Sequence, residues 1–434
     1  MKIVKQFSKA MLIICALSIT SCELEGGESL NGASTNSISE DLSRGELPQA
    51  LSGVLSDMRV GLSTQTDVQS IFGREYYYFT SSDPRFEGDV VVGNLDDNTF
   101  YTTTAWASRY ATVKNINLML EGLENTTADF STAEIAATKG VLNTLKAYEL
   151  LMLTNSQHDN GIRLDVSDPD NLGPLVDNAT ALTAIFELLN NAGSDLSAGG
   201  SSFPFSLSSG YTGFDTPGGF LEFNKALTAR VEAYRGNYSN VVSLLGESFM
   251  DFAGDLNTGV YHTFSLSGAD LANPLFIALN QEANVRVAHA GYVADAEAND
   301  NRLDKVVLRD SPRSASGLVG NYDVWIYRSN EDNVPVIRNE ELILLYAEAN
   351  LTSNPNESLN AINIIRNAAG LPTILFTTQQ DLEDEMITQR RYSLYGEGHR
   401  WVDMRRFGRL AELPNDRATD NVPSAVPVPA TENQ

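Results

Sequence analysis

Apolar positions recur at helical spacing along much of the chain. Leu51, Val54, Leu55, Met58 and Leu62 form one stripe, and Pro48 suits the first turn of its helix. Trp106, Tyr110, Val113, Asn117 and Leu120 mark a second helix. Val141, Leu145, Tyr148 and Met152 mark a third, over about 134–153. The same period predicts helices at 181–192, 221–235, 239–249, 339–351, 357–368 and 381–396. Between them, 74–104, 157–178, 198–220 and 255–335 are full of Gly, Pro, Asp, Asn and Ser and read as long insertions. These insertions hold short strand-like pieces, among them Asp89-Val90-Val91-Val92 and Val324-Trp325-Ile326-Tyr327.

Some helices come as hairpins. Ala226 to Tyr234 is followed by Arg235-Gly236-Asn237-Tyr238 and a helix through Val241, Val242 and Leu245. Glu341 to Leu351 is followed by a polar turn and then Leu359, Ala361, Ile362 and Ile365. Helix, turn and helix with small alanines at packing points partly match a tetratricopeptide unit. The expected fold is mostly α: tetratricopeptide-like helical hairpins with long loop-rich insertions, as one domain over 40–434. Stacked hairpins of this kind serve as scaffolds or docking faces more often than as catalysts.

Composition narrows the function. The 434 residues hold 56 acids against 30 bases, a net charge of −26. That balance argues against a nucleic-acid partner, which needs clustered Lys and Arg. Lys2, Lys5 and Lys9 precede the apolar run Ala10 to Ile19, a leader too short to span a bilayer. Leu17-Ser18-Ile19-Thr20-Ser21-Cys22 resembles a bacterial lipobox, so residues 1–21 read as a signal peptide and Cys22 as the lipidated residue. An ordinary signal peptide with an incidental cysteine is the alternative. Cleavage before Cys22 discards Cys15 and three lysines, leaving a net charge of −29 and a mature chain without a free thiol. Glu23 and Glu25 resemble the export signal of surface lipoproteins in the Bacteroidota, which implies an outer-membrane anchor facing outwards. Residues 22–39 read as the lipidated cysteine and a flexible tether.

Signs of catalysis are few. His158, His262, His289 and His399 are scattered, without a His-x-x-x-His pair, and no metal site is expected. There is no Gly-x-Ser-x-Gly elbow and no phosphate-cradling glycine loop, and no cofactor is expected. The 56 acids leave a carboxylate pair for glycoside hydrolysis open, because spacing alone does not identify one. The acid-rich segment Asp295 to Asp304 lacks the glycine of a calcium loop and reads as solvated turns.

The strongest pattern lies near the carboxyl end. Arg338-Asn339-Glu340-Glu341-Leu342 opens a helix and is followed by Ala361-Ile362-Asn363-Ile364-Ile365-Arg366-Asn367 and Gly370-Leu371-Pro372. Then come Arg390-Arg391 and Glu397-Gly398-His399-Arg400-Trp401-Val402-Asp403-Met404-Arg405-Arg406. With Phe223-Asn224-Lys225-Ala226 and the closing Val426-Pro427-Val428-Pro429, this series resembles the SusD/RagB family of nutrient-binding outer-membrane lipoproteins. Gln389 and Ser393 stand where the family often has acids. The residues Glu397, Arg400, Asp403 and Arg406 recur every three positions, so neighbouring charges are expected to pair while Trp401 and Phe407 turn into the core. An architectural role for this segment follows.

The resemblance implies a non-catalytic protein that binds a glycan or oligosaccharide on a loop-rich face. It also implies a partner, a SusC-like TonB-dependent outer-membrane transporter. A surface-anchored polysaccharide hydrolase and a lid subunit for a peptide-type nutrient are the alternatives. Sugar sites pair aromatic platforms with Asn, Asp, Arg or Gln. Arg74, Tyr76, Tyr77 and Tyr78, followed by Asp83 and Arg85, form the first candidate cluster. Three successive tyrosines cannot all point inward from a strand, although a patch packed on the helices is the plainer reading. Tyr322 and Trp325 form the second candidate, whereas Trp106 sits on a helical stripe that suits a core.

Overall fold

The computed structural model describes residues 35–168, 170–268 and 270–433. The leader, Cys22 and residues 22–34 of the expected tether lie outside the described residues. The far end of that tether is not extended chain. Thr35–Glu40 (α1) is a helical turn lying along a long helix, where Leu42 donates its N–H to Gly122 O at 3.2 Å.

The apolar stripes become helices. They are Glu46–Asp57 (α2), Leu62–Phe72 (α3), Phe100–Asn125 (α4), Thr132–Gln157 (α5), Asn178–Ser197 (α6), Pro217–Tyr234 (α7) and Tyr238–Gly246 (α8). The stripe expected to run on from Pro48 through Leu62 is split. The chain turns after Met58, and Gly61 takes a left-handed φ of 72° that ends one helix geometry before α3 begins. A reciprocal cap starts α5, with Ser131 N–H donating to Glu134 Oε2 at 2.8 Å and Glu134 N–H to Ser131 Oγ at 3.2 Å. Val113, Leu145, Leu151, Ile185, Phe223 and Leu227 fill the largest apolar core between these helices. Trp106 is buried in it, as its stripe suggested.

The insertions supply the strands. Tyr76–Thr80 (β1) belongs to a four-stranded antiparallel sheet, while Ile162–Arg163 (β2) pairs only with Leu175–Val176 (β3). Gly259–His262 (β4) is followed by Asn284–Ala288 (β5), the short helix Ala290–Ala294 (α9), Val306–Ala315 (β6), Leu318–Val324 (β7) and Val334–Arg338 (β8). The larger sheet has the order β1-β5-β7-β6, and β4 pairs with β8. Tyr77 lies opposite Val287, Val287 opposite Asp323, and Leu308 opposite Tyr322. Two strand readings need correction. Asp89 to Val92 is helical, part of a wide turn over Phe86–Val90 that buries Val90 and Val91. Valines suit either state when the run is short, and here burial decides. The Val324 to Tyr327 piece stops being strand after Val324, although Trp325 N–H still donates to Lys305 O at 2.7 Å.

Asn339–Asn350 (α10) is buried almost all round, polar residues included, and sits centrally. Leu342 and Leu345 join the large core, while Ile343, Leu344 and Ala347 face a second core. That core is shared with Pro355–Ala368 (α11) and Gln379–Ser393 (α12). His399–Arg406 (α13) closes the series. The pairs α7/α8 and α10/α11 are the hairpins expected from sequence, and the fold is mostly helical with tetratricopeptide-like hairpins. Among the described residues no helix is long and apolar enough to cross a membrane.

Buried ion pairs join these layers. Arg230 on α7 holds Glu341 on α10 at 2.5 Å, and its Nη2 also donates to Val336 O at 2.8 Å. Arg390 on α12 reaches Asp403 at 2.8 Å; Arg406 reaches Asp403 at 2.9 Å and Glu348 at 2.5 Å. Asp403 is thus gripped from two helices, and although burial opposes its charge, the two guanidiniums hold its pKa down to about 2. Glu397 does not pair along its own helix as expected. It lies before α13 and pairs with Arg338 on β8 at 2.6 Å. Gly396 and Gly398 flank it with φ of 73° and 80°, and a Cβ on Gly398 would stand 2.5 Å from Gln69 Oε1. Trp401 is fully buried, but Phe407 is only half-buried. The acid-rich turns are solvated at Asp295, Glu297 and Asp304, which are exposed, but not throughout. Asp300 is buried against Arg302 at 2.7 Å, and Glu297 pairs with Arg366 at 2.5 Å.

Asp403→Asn leaves the buried Arg390 without its carboxylate and Arg406 with Glu348 alone. Urea unfolding is expected to show a loss of about 3–5 kcal/mol, and a loss below about 1 kcal/mol would contradict the network's role. A second test concerns Glu75, which accepts the Gly396 N–H at 3.0 Å from a fully buried position. Burial pushes its pKa up from 4.5 to about 7, despite the Gly396 hydrogen bond and the Arg400 charge. A raised carboxyl pKa means that its contribution is full below about 4.5 and fades as pH rises to about 7. Glu75→Gln should therefore remove part of the fall in stability between pH 5 and 8, on the order of 1–3 kcal/mol. Parallel melting curves for variant and parent across that range would refute the assignment.

Candidate functional site

The first sequence-derived cluster divides between core and surface. Arg74 is 1% exposed. Its guanidinium donates to the carbonyls of Pro414 at 2.9 Å, Ile71 at 3.1 Å and Val91 at 3.1 Å. Tyr76 is buried with its hydroxyl on Asp67 at 2.9 Å, and Tyr77 is buried on the other face of β1, stacked on Phe79 at 6.1 Å. These three are therefore structural residues and not ligand contacts. The physical cause is packing on both faces of β1, by the Asp67–Arg286 ion pair and Tyr395 on one side and by apolar side chains on the other. Arg286 binds Asp67 at 2.5 Å and lies 4.6 Å over the Tyr78 ring.

Tyr78, Asp83 and Arg85 remain nearer the surface. The half-buried Tyr78 ring meets Phe86 at 4.9 Å, which meets Phe100 at 5.2 Å. Arg85 covers Phe100 at 4.8 Å and binds Asp83 through Nε at 2.7 Å. The structure joins these three into one strip, but the guanidinium and carboxylate are already engaged with each other.

Tyr322 and Trp325 also part company. Tyr322 packs with Val324 and Ile326 against the buried Tyr76, Tyr292 and Tyr395. Trp325, one residue past β7, is half-buried and lines a cleft of about 310 Å³. Its indole lies 6.0 Å from the Phe276 ring, so two aromatic side chains stand together at this edge. The rim adds Asn257, Asn301, Asp304 and Arg328, all exposed. Neither Asp304 nor Arg328 has an ion-pair partner among the described residues. The floor carries Lys305, Arg338 and Glu340.

The floor is electrostatically closed, unlike the rim. Arg338 binds Glu340 at 2.7 Å and Glu397 at 2.6 Å and donates to Ser393 O at 2.7 Å. Burial works against the charge on Lys305 and lowers its pKa, while Glu340 pulls the other way. The lysine ammonium donates to the carbonyls of Tyr392 at 2.9 Å and Ser393 at 2.6 Å. Burial also opposes the Glu340 charge, but Arg338 and Lys305 outweigh it and lower its pKa. Ser393, which stands in place of an acid, still serves this region by accepting from Arg302 at 3.1 Å. Gln389 is buried and donates to Glu385 at 2.7 Å.

A flat indole beside polar side chains suits a ring with one apolar face and hydroxyls at its rim. Sequence reasoning found Trp325 but missed Asn301 and Asp304, which it placed in solvated turns. It also missed Asn257, Phe276 and Arg328. All five lie in the same long insertion as Trp325, over 255–335, but only Arg328 is close to it in sequence. Among the described residues no cluster of three or more His, Cys, Asp or Glu side chains is arranged to hold a metal ion.

Residues 313–427 match the SusD family. A SusD-like protein of Formosa agariphila is 32% identical over 94 residues, a match spanning 19% of this chain and 19% of that protein's length. The fold is similar to a SusD superfamily protein from Bacteroides vulgatus at 16% identity, covering 90% of this chain and 96% of that one with a TM-score of 0.66. It is also similar to a laminarin-binding SusD-like protein at 18% identity, covering 90% and 97% with a TM-score of 0.65. A third similar structure is surface glycan-binding protein A of Bacteroides thetaiotaomicron in complex with laminarihexaose. That likeness has 14% identity, 90% and 97% coverage and a TM-score of 0.68.

Proposed function

We propose that the chain is a member of the SusD/RagB family and a glycan-binding lipoprotein of the outer-membrane surface. In this reading Cys22 carries the lipid, the face bearing Trp325 captures an oligosaccharide, and a SusC-like TonB-dependent transporter receives it. The role is capture and delivery, without turnover. Two similar structures support the ligand class, one described as laminarin-binding and one as a complex with laminarihexaose. The observation that carries the reading is the half-buried Trp325 beside Phe276, with the exposed Asp304 and Arg328 on the same rim.

Trp325 would stack on the apolar face of a sugar ring. Asp304 would accept from vicinal hydroxyls, while Arg328, Asn257 and Asn301 would donate to ring and hydroxyl oxygens. The closed ion pairs beneath hold this rim in place without competing for the ligand. An acidic chain of net charge −26 fits a neutral glycan better than a polyanion.

A glycan array on the mature chain carrying Cys22→Ser tests this, followed by calorimetry with the strongest glycan and with laminarihexaose. Trp325→Ala should weaken binding at least about tenfold, or ~1.4 kcal/mol, with an unchanged melting temperature. Tyr77→Phe should leave the affinity as it is. Equal affinity in the parent and Trp325→Ala would refute the site, and release of reducing ends from the bound glycan would refute the non-catalytic role.

A further inference from the structure

Arg400 stands apart from the other arginines withdrawn from the surface. It is half-buried on α13 and donates its Nε to Gly73 O at 3.1 Å. Its two terminal nitrogens reach neither a carboxylate nor a carbonyl among the described residues. They are not sealed in the interior, so solvent reaches them. Every other buried or half-buried arginine among the described residues sets a terminal nitrogen on a carboxylate or a carbonyl, as Arg230, Arg74 and Arg405 do.

Arg391 on α12 lies beside it. Its Nη1 binds Asp295 at 2.9 Å, and its guanidinium lies 5.5 Å over the Tyr392 ring. Its Nε and Nη2 have no hydrogen-bond partner among the described residues and are likewise open to solvent. Gly291 leaves Nη2 uncovered, since a Cβ there would stand 3.3 Å from it. Burial, then the Arg391 charge, lowers the Arg400 pKa to about 10. Two half-buried guanidiniums thus repel each other while both keep N–H groups free.

The carboxylates nearby do not cancel this charge. Asp295 offsets one guanidinium. Asp416 is engaged with His289 Nε2 at 3.1 Å, and burial with the Arg391 and Arg74 charges pushes that imidazole down to about 4, so it is neutral at pH 7. Glu75 is not a partner for Arg400 either. Its Oε1 accepts from Gly396, its Oε2 has no hydrogen-bond partner, and burial raises its pKa to about 7. Arg74 adds a further positive charge that is met by carbonyls and not by carboxylates. The acids that give the chain its net charge of −26 act weakly here, because salt at 0.15 M screens charges beyond about 8 Å. Guanidinium N–H groups only donate, and their planar forks match the oxygens of an oxyanion.

We propose that Arg391 and Arg400 form a binding site for one phosphate or sulfate group, with free N–H groups of both guanidiniums donating to its oxygens. Neither arginine lines the Trp325 cleft, and the two sites stand or fall separately. The group arrives as the free ion or as an ester on a sugar.

The test is calorimetry on the mature chain carrying Cys22→Ser, at pH 7.5 and an ionic strength held constant with sodium chloride. The probes are sodium sulfate, sodium phosphate, glucose 6-sulfate and glucose 6-phosphate. At least one should bind saturably at one site. Equal affinity for an ion and its ester marks the free ion as the ligand, and at least tenfold tighter binding of the ester marks the sugar-borne group. Arg391→Gln and Arg400→Gln should each weaken binding at least tenfold. Arg400→Gln also removes the Gly73 contact, so Arg391→Gln decides if that variant melts early. Trp325→Ala should leave the affinity unchanged, and so should Lys114→Gln, which removes an exposed positive charge from α4. No saturable binding of any probe overturns the proposal, as does binding that survives Arg391→Gln. Equal weakening by Lys114→Gln overturns it too, because net charge alone would then account for the effect.

Discussion

Arginines withdrawn from water must be met by carboxylates or carbonyls, and in this fold that requirement connects every layer. Arg230 ties α7 to α10 through Glu341. Arg390 and Arg406 converge on Asp403, and Arg406 continues to Glu348, so α10, α12 and α13 share one chain of charge. Arg338 links β8 to the Gly396-Glu397-Gly398 turn through Glu397 and lies in the floor of the Trp325 cleft. Such pairs stabilise little in themselves once desolvation is counted, but breaking one leaves an uncompensated charge inside. They act as a registration device, since helices that slip lose their partners. The exposed platform is therefore built on a base that has no spare charges to offer a ligand.

The helices were legible because burial on one face leaves a 3.6-residue record in the sequence. The hairpins α7/α8 and α10/α11, the central α10 and the burial of Trp106 and Trp401 all follow from that record. The architectural role of the Glu397 to Arg406 segment was also readable, since those charges alternate with Trp401. Their partners were not. Glu397 meets Arg338 and Arg406 meets Glu348, contacts of 59 and 58 residues' separation that no local spacing encodes.

The candidate site was less legible for the same reason. Tyr76, Tyr77 and Tyr78 were candidates because three successive tyrosines cannot all point inward, yet only Tyr78 is partly exposed, since residues distant in sequence pack on both faces of β1. Asp89 to Val92 looked like strand because valines favour it, but burial beneath Arg74 and against the core set a helical turn. Trp325 kept its half-exposed position because it lies just beyond the last residue of β7, where the sheet no longer covers it. Its neighbours Asn257, Phe276 and Asp304 lie tens of residues away in the same insertion and become a site only in the folded chain.

On the proposed reading an oligosaccharide lies on the Trp325 indole above a closed network of ion pairs. A crystal structure of the mature chain with the strongest array glycan tests it most directly. A sugar ring stacked on Trp325 is expected, with hydroxyls on Asp304 or Arg328 and with the Arg338–Glu397 and Arg338–Glu340 pairs intact. A ligand bound away from Trp325, or bound by opening those pairs, would contradict it.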